Sequence, residues 1–229
     1  MDSDALGRDG YALSMPDADV RFYPNFFDES EADRLLGELT QTTLWRQDQI
    51  RLFGRWVDQP RLTAWHGDPG CSYTYSGMTM QPQAWTAELL AIKKRIEPVA
   101  GVVFNSVLLN YYRTERDSMG WHSDDEKELG ENPVIASVNL GATRRFHFKH
   151  KHLKEQKVAL DLTAGSLLIM AGATQHFWLH QLPKSARTLD PRINLTFRVI
   201  RREQNPNSGS GRSAGGGNAI LRLVALSNS

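Results

Sequence analysis

Two hydrophobic periods divide the chain. Before about residue 100 the apolar positions fall at helical spacing in two places. The segment "DESEADRLLGEL" opens with Asp28 as an N-cap and Glu31 three residues on, a helix start. In "PQAWTAELLAIKKRIEP", Trp85, Leu89, Ile92 and Ile96 recur at helical intervals and Pro98 is expected to close the helix. Between them, residues 44–80 mix aromatics with turn formers. After residue 100 the period becomes two. Segments 102–112, 134–140, 144–150, 158–162, 166–170, 176–180 and 193–200 read as strands. Short strands punctuated by Gly and Pro, with few helices, predict a barrel or a two-sheet jelly roll. The first twenty or so residues read as loosely ordered. So does the Gly/Ser-rich tail "NPNSGSGRSAGGGNA", after which "ILRLVALS" is an apolar segment with no assigned use.

Composition narrows the class. At 229 residues, 40% hydrophobic and 23% charged, the chain suits one large or two small soluble domains. The single cysteine, Cys71, excludes an internal disulfide and favours a reducing compartment. The acidic start "MDSDALGRDG" does not read as a secretory or mitochondrial leader, and no apolar run approaches the ~20 residues of a membrane span. A cytoplasmic location is expected, or a nuclear one in a eukaryote. Residues 1–33 hold nine acids and two bases, a net of −7. The overall charge of +1 therefore leaves +8 on the rest, a basic body able to attract a polyanion.

Candidate chemistry begins at "GWHSDDEKELG". His122 and Asp124 are two apart, so in extended chain they point to one side and can converge on an ion. A histidine nitrogen and a carboxylate oxygen are two of the three ligands of non-haem Fe(II) oxygenases. The third should be a histidine on another strand. His176 and His180 are both placed for it, on one face of the segment 176–180. In "RINLTFR" the alternation puts Arg192, Asn194, Thr196 and Arg198 on one face and Ile193, Leu195 and Phe197 on the other. If the apolar face is core, the polar face lines a space in which two arginines need anions. A small dicarboxylate meets that need through charge-assisted hydrogen bonds. Asn110 and Tyr112 share a strand face and add an amide and a phenol suited to a carboxylate.

These residues, in this order, resemble the AlkB family of Fe(II)- and 2-oxoglutarate-dependent nucleic-acid demethylases, nearest the branch holding the animal DNA-repair members. The resemblance runs from about Phe22 to Arg201 and rests on N-x-Y (Asn110, Tyr112), H-x-D (His122, Asp124), the histidine of "WLHQLP" (His180) and R-x-N-L-T-F-R (Arg192 to Arg198). It implies a double-stranded β-helix, a jelly roll, over 101–203. Residues 22–100 would form helices and a nucleotide-recognition lid, with a loosely ordered 1–21 before them and a flexible tail 204–229. It makes His122, Asp124 and His180 the iron ligands and favours His180 over His176. Arg192, helped by Asn110, Tyr112 and Asn194, would take the far carboxylate of 2-oxoglutarate, with Arg198 near the keto-acid end. Tyr73, Tyr75 and Glu126 match positions that meet the target base, Tyr75 and the His122 ring sandwiching it. Phe53 in "RLFGRW" would be the wedge of duplex-acting members, with Arg51, Arg55 and Arg61 as phosphate contacts.

Residues 144–157 hold six Lys or Arg against one Glu, and Arg144 and Arg145 are expected to meet nucleic acid there. The activity implied is oxidative removal of N-methyl groups from bases such as 1-methyladenine and 3-methylcytosine. The target would be DNA, with RNA as a second substrate, and would be reached by base flipping or in a single strand. Formaldehyde would be released while 2-oxoglutarate and O2 become succinate and CO2. The expected protein is a monomer with no membrane partner. The alternatives are the same iron core hydroxylating a protein or small molecule, and a cupin-like binding module without catalysis.

Overall fold

The computed structural model describes residues 9–52, 55–71, 73–75 and 78–201. Its strands and helices follow in the order β1 (Tyr11–Ala12), β2 (Asp19–Tyr23), α1 (Glu29–Thr42), β3 (Gln49–Leu52), β4 (Arg55–Asp58), β5 (Leu62–Gly67), β6 (Tyr73–Tyr75), β7 (Met78–Met80), α2 (Ala87–Ala100), β8 (Ser106–Tyr112), β9 (Met119–His122), β10 (Ile135–Gly141), β11 (Arg144–His150), β12 (Lys157–Leu162), β13 (Leu167–Ala171), α3 (Thr174–Phe177), β14 (Trp178–Leu182) and β15 (Arg192–Arg198). A major sheet runs β1-β2-β13-β10-β15-β8-β5 and a minor sheet β12-β11-β14-β9, with two separate hairpins, β3-β4 and β6-β7. The pairing between neighbouring strands is antiparallel.

Alternation along the strands assigns three layers. Ala136, Val138, Leu140, Ile193, Leu195, Phe197, Val107, Leu109, Leu167 and Ile169 pack on one side of the major sheet against helix residues such as Leu35, Leu39, Leu89, Ile92 and Ile96. On its other side Val20, Phe22, Ile135, Leu168 and Met170 meet Phe148, Leu160, Leu162 and Trp178 of the minor sheet. This is a jelly roll with helices on its outer face. The space between the sheets is apolar at the β2-β13 end. At the β15-β8 end the same face turns polar, with Asn110, Arg192, Asn194, Thr196 and Arg198 all buried. Sheet pairing places Asn110 opposite Asn194 and Tyr112 opposite Arg192.

Helix α1 begins as its cap predicts, whereas α2 begins only at Ala87, past Trp85. Asp28 accepts the N–H of Glu31 at 2.8 Å, and Thr86 caps α2 through the N–H of Leu89. Pro98 does not close α2 but lies inside it. The helix ends at Gly101, whose left-handed φ of 73° lets its N–H close on the carbonyl of Glu97. Two other expectations change. Residues 11–12 and 19–23 are not a loose lead-in, because β2 completes the major sheet beside β13 and buries Val20 and Phe22. Segment 176–180 is not one strand, since α3 occupies 174–177 and β14 begins at Trp178. The 44–80 stretch, to which the sequence pattern assigned no element, forms strands, two of which pair as the hairpin β3-β4 around "RLFGRW" and another of which, β5, pairs with β8. The tail expected to be flexible lies outside the described residues.

Gly165, in the turn before β13, adopts a φ of 72°, and a Cβ there would stand 2.2 Å from the carbonyl oxygen of Phe27. Its own carbonyl accepts the N–H of Phe27 at 2.9 Å, tying the start of α1 to the sheet. Gly165→Ala is expected to destabilise the fold by roughly 1–3 kcal/mol, read as a lower urea midpoint. An unchanged midpoint would contradict this packing.

Candidate active site

β9 ends at His122, and the chain continues without regular structure through Asp124. β14 pairs beside β9 with His180 opposite His122. The two imidazole centroids are 4.2 Å apart, and His122 Nε2 lies 3.9 Å from Asp124 Oδ1. Ligand atoms of His122, Asp124 and His180 all fall within 4.8 Å of one another, and all three residues are buried. His176, on α3, is exposed and turned to Asn132 Oδ1, so the structure separates the two histidines that periodicity left open.

The protonation states suit a metal. Burial pushes the His122 imidazole below its usual range, against the pull of Asp124 and of the Gly120 carbonyl. Burial and the neighbouring His122 push His180 down to about 3. Both rings are therefore neutral near pH 7 and free to donate nitrogen lone pairs. His122 Nδ1 is 2.8 Å from the Gly120 carbonyl oxygen, which keeps the proton on Nδ1 and frees Nε2. Burial pushes the Asp124 carboxyl up, but the Arg198 guanidinium beside it leads the opposing effects, and the group ends below the usual carboxylate range. Arg198 donates to Asp124 Oδ2 from Nη2 at 2.9 Å. Oδ1 has no hydrogen-bond partner among the described residues. One anchored oxygen, one unpaired oxygen and two neutral imidazoles form a donor set fit for a divalent iron.

The cavity beside it is walled by β8 and β15. Arg192 donates through Nη2 to Asn139 Oδ1 at 2.5 Å and lies 5.0 Å over the Tyr112 ring. Its Nε and Nη1 are buried without partners. Desolvation lowers its pKa to about 10, so it remains a cation. Buried, unpaired donors on a guanidinium call for an anionic acceptor. Asn194 donates to Ser137 Oγ at 2.8 Å and Thr196 Oγ1 donates to Asn194 Oδ1 at 2.9 Å, a ladder that holds the polar face.

Arg61 is a correction. It was expected on the surface as a phosphate contact, but it is 2% exposed and lines this cavity. Its Nε donates to Asn110 Oδ1 at 2.7 Å, while Nη2 is buried without a partner. Arginine has no acceptor, so Asn110 must face it with oxygen and turn its amide N–H groups elsewhere. Arg144 is a second correction. It is 3% exposed, donates to the carbonyls of Asp117 and Pro183, and covers the Tyr112 ring at 5.8 Å. Neither arginine can reach a phosphate backbone from these positions. Arg55 and Arg145 are exposed, the latter paired with Asp161. Phe53 lies outside the described residues, as do the side chains of Arg51, Tyr73 and Tyr75. Glu126 is 8% exposed, and burial and Asp124 push its carboxyl up to about 8.

Sequence reasoning missed Ser137, Asn139 and Gln175. The first two were legible, because "VIASVNLG" alternates Ser137 and Asn139 against Ala136, Val138 and Leu140. Gln175 carries no such signal, as it lies on a four-residue helix.

A jelly roll with a two-histidine, one-carboxylate cluster at the mouth of an arginine-lined cavity defines the class, an Fe(II)- and 2-oxoglutarate-dependent oxygenase. Residues 19–198 match the family model described as the 2OG-Fe(II) oxygenase superfamily. The human alpha-ketoglutarate-dependent dioxygenase alkB homolog 3 is 43% identical over 208 residues, covering 85% of this chain and 72% of that protein. The mouse DNA oxidative demethylase ALKBH2 is 40% identical over 188 residues, covering 78% and 79%. Among solved structures, OsALKBH1 superposes with a TM-score of 0.57 at 15% identity, over 83% of this chain and 99% of that one, a likeness of fold. The chain belongs to the AlkB family of Fe(II)- and 2-oxoglutarate-dependent oxygenases, on the branch with the animal proteins.

Asp124→Ala is expected to abolish binding of Co(II), a spectroscopic substitute for Fe(II), while far-UV circular dichroism is retained. Tight Co(II) binding by that variant would refute the ligand set.

Proposed function

We propose that this oxygenase repairs DNA by oxidative demethylation of N-alkylated bases of the 1-methyladenine and 3-methylcytosine type. The observation that carries the reading is a buried His122, Asp124, His180 cluster sharing one cavity with the unpaired Arg192 donors. Similarity of about 40% to a relative named as a DNA oxidative demethylase supports the substrate.

Bound Fe(II), 2-oxoglutarate and O2 supply the oxidising chemistry that hydroxylates an N-methyl carbon, which then leaves as formaldehyde, while the co-substrate ends as succinate and CO2. This chain's residues do the rest. His122, Asp124 and His180 hold the metal, and Arg198 keeps the Asp124 carboxylate ionised and fixed. Arg192 binds the far carboxylate of 2-oxoglutarate through its unpaired guanidinium donors. Tyr112, with the Arg192 and Arg144 guanidinium groups over its ring, is held in place beside it. Asn110, turned by Arg61, donates one amide N–H to Asn194 Oδ1 at 3.4 Å and presents the other to the same co-substrate. Glu126 lies two residues from the metal carboxylate, where it meets the base.

Tyr73 and Tyr75 line the base pocket, with Tyr75 stacking the base against His122, and Phe53 fills the gap that a flipped base leaves in a duplex. Arg51, Arg55 and Arg145 contact phosphates. The protein acts as a monomer, takes RNA as a second substrate, and works in the cytoplasm, or in the nucleus of a eukaryote.

Purified protein given Fe(II), ascorbate and 2-oxoglutarate should release formaldehyde from methylated oligonucleotides. A panel of methylated single- and double-stranded DNA and RNA ranks the substrates. No formaldehyde from any of them, with metal shown to be bound, would overturn the reading. Phe53→Ala should lose activity on duplex more than on single strands, and equal losses would assign Phe53 a packing role.

A further inference from the structure

Gln175 is fully buried, with 0% exposure, and stands on α3 between β13 and the histidine-bearing β14. Its Oε1 accepts the backbone N–H of Asp124 at 2.8 Å. That bond fixes the amide's orientation, since a peptide N–H can only donate. The amide nitrogen is left with Met170 Sδ at 3.6 Å, a weak acceptor. A buried glutamine so poorly served at its donor end is expensive, and a methionine would fill the same space without that cost. What methionine cannot do is accept from Asp124.

The surroundings make that bond a tie between two separate parts of the metal site. Asp124 follows β9, in a segment without regular structure of its own. Its side chain is held by Arg198 on β15, and its neighbour Asp125 by Lys151 Nζ at 3.4 Å. Lys151 also donates to the Gln175 carbonyl at 2.9 Å, so Gln175 is tied to Asp124 directly through its amide and to Asp125 through Lys151. α3 itself is anchored, because Thr174 Oγ1 accepts the N–H of Asp19 at 3.0 Å and donates to the Ala171 carbonyl at 2.6 Å. Gln175 therefore fixes the distance between the segment carrying Asp124 and the strand carrying His180.

We infer that Gln175 is a positioning residue for the metal centre, acting through the Asp124 backbone to hold the carboxylate in register with His180. The inference rests on the metal-ligand assignment proposed above but not on the substrate. Without the acceptor, the Asp124 N–H is stranded in a buried site and the turn must shift to satisfy it. The carboxylate shifts with the turn.

The test is a Co(II) titration of metal-free protein, followed by visible absorption, for wild type, Gln175→Met and Gln175→Ala, with Tm measured on each metal-free form. Gln175→Met should keep a wild-type Tm yet bind Co(II) roughly 10–100-fold more weakly, the range found for groups that orient metal ligands. Gln175→Ala should bind as weakly as Gln175→Met while also losing Tm from its cavity. Co(II) affinity unchanged in Gln175→Met would overturn the inference, and so would affinity that falls only in step with Tm. If wild type itself bound no Co(II), the ligand assignment would fail before the role of Gln175 was reached.

Discussion

Arg61, Arg192 and Arg198 are buried in one cavity with a single ionised carboxylate, Asp124. Glu126, the other acid at hand, titrates at about 8 and is mostly protonated at neutral pH. Burying a guanidinium without an anion is costly, and here only Arg198 has its carboxylate. The cavity is thus built with excess positive charge and unused donors. A divalent metal alone would add to that excess. A dianion bound beside the metal offsets the charge that the metal adds, and this makes the metal and a dicarboxylate co-substrate mutually supporting occupants of the cavity.

The fold produces this site from strand alternation. In β15 every second residue enters the helix-side core, and the residues between them must enter the inter-sheet space. Near β2 and β13 that space is filled by Phe22, Leu168 and rings of the minor sheet such as Phe148 and Trp178. Near β8 and β15 the inward side chains are polar, and the facing strands β9 and β14 bring His122 and His180. The apolar half holds the sheets together and the polar half carries the chemistry.

Much of this was legible in the sequence, for a physical reason. Alternation in "RINLTFR" and "VVFNSVLLNYY" separates core from cavity residue by residue, and the structure keeps both assignments for Arg192 to Arg198 and for Asn110 and Tyr112. Arg61 and Arg144 were misplaced because arginine favours surfaces, and nothing local shows that Asn110 or the carbonyls of Asp117 and Pro183 stand ready to take its donors. The break of segment 176–180 into helix and strand was hidden because "TQHFWLH" carries no punctuating glycine or proline. Gln175 was invisible for the same reason. Its partner is 51 positions away, and only tertiary packing brings them together.

The most direct test of the charge imbalance is the thermal shift given by 2-oxoglutarate in the presence of Mn(II) and absence of O2, compared between wild type and Arg192→Met. Wild type should gain Tm with Mn(II) and gain further with 2-oxoglutarate. Arg192→Met should respond to Mn(II) as wild type does but lose most of the second gain. An equal 2-oxoglutarate shift in both proteins would contradict the claim that the unpaired Arg192 donors are the co-substrate's anchor.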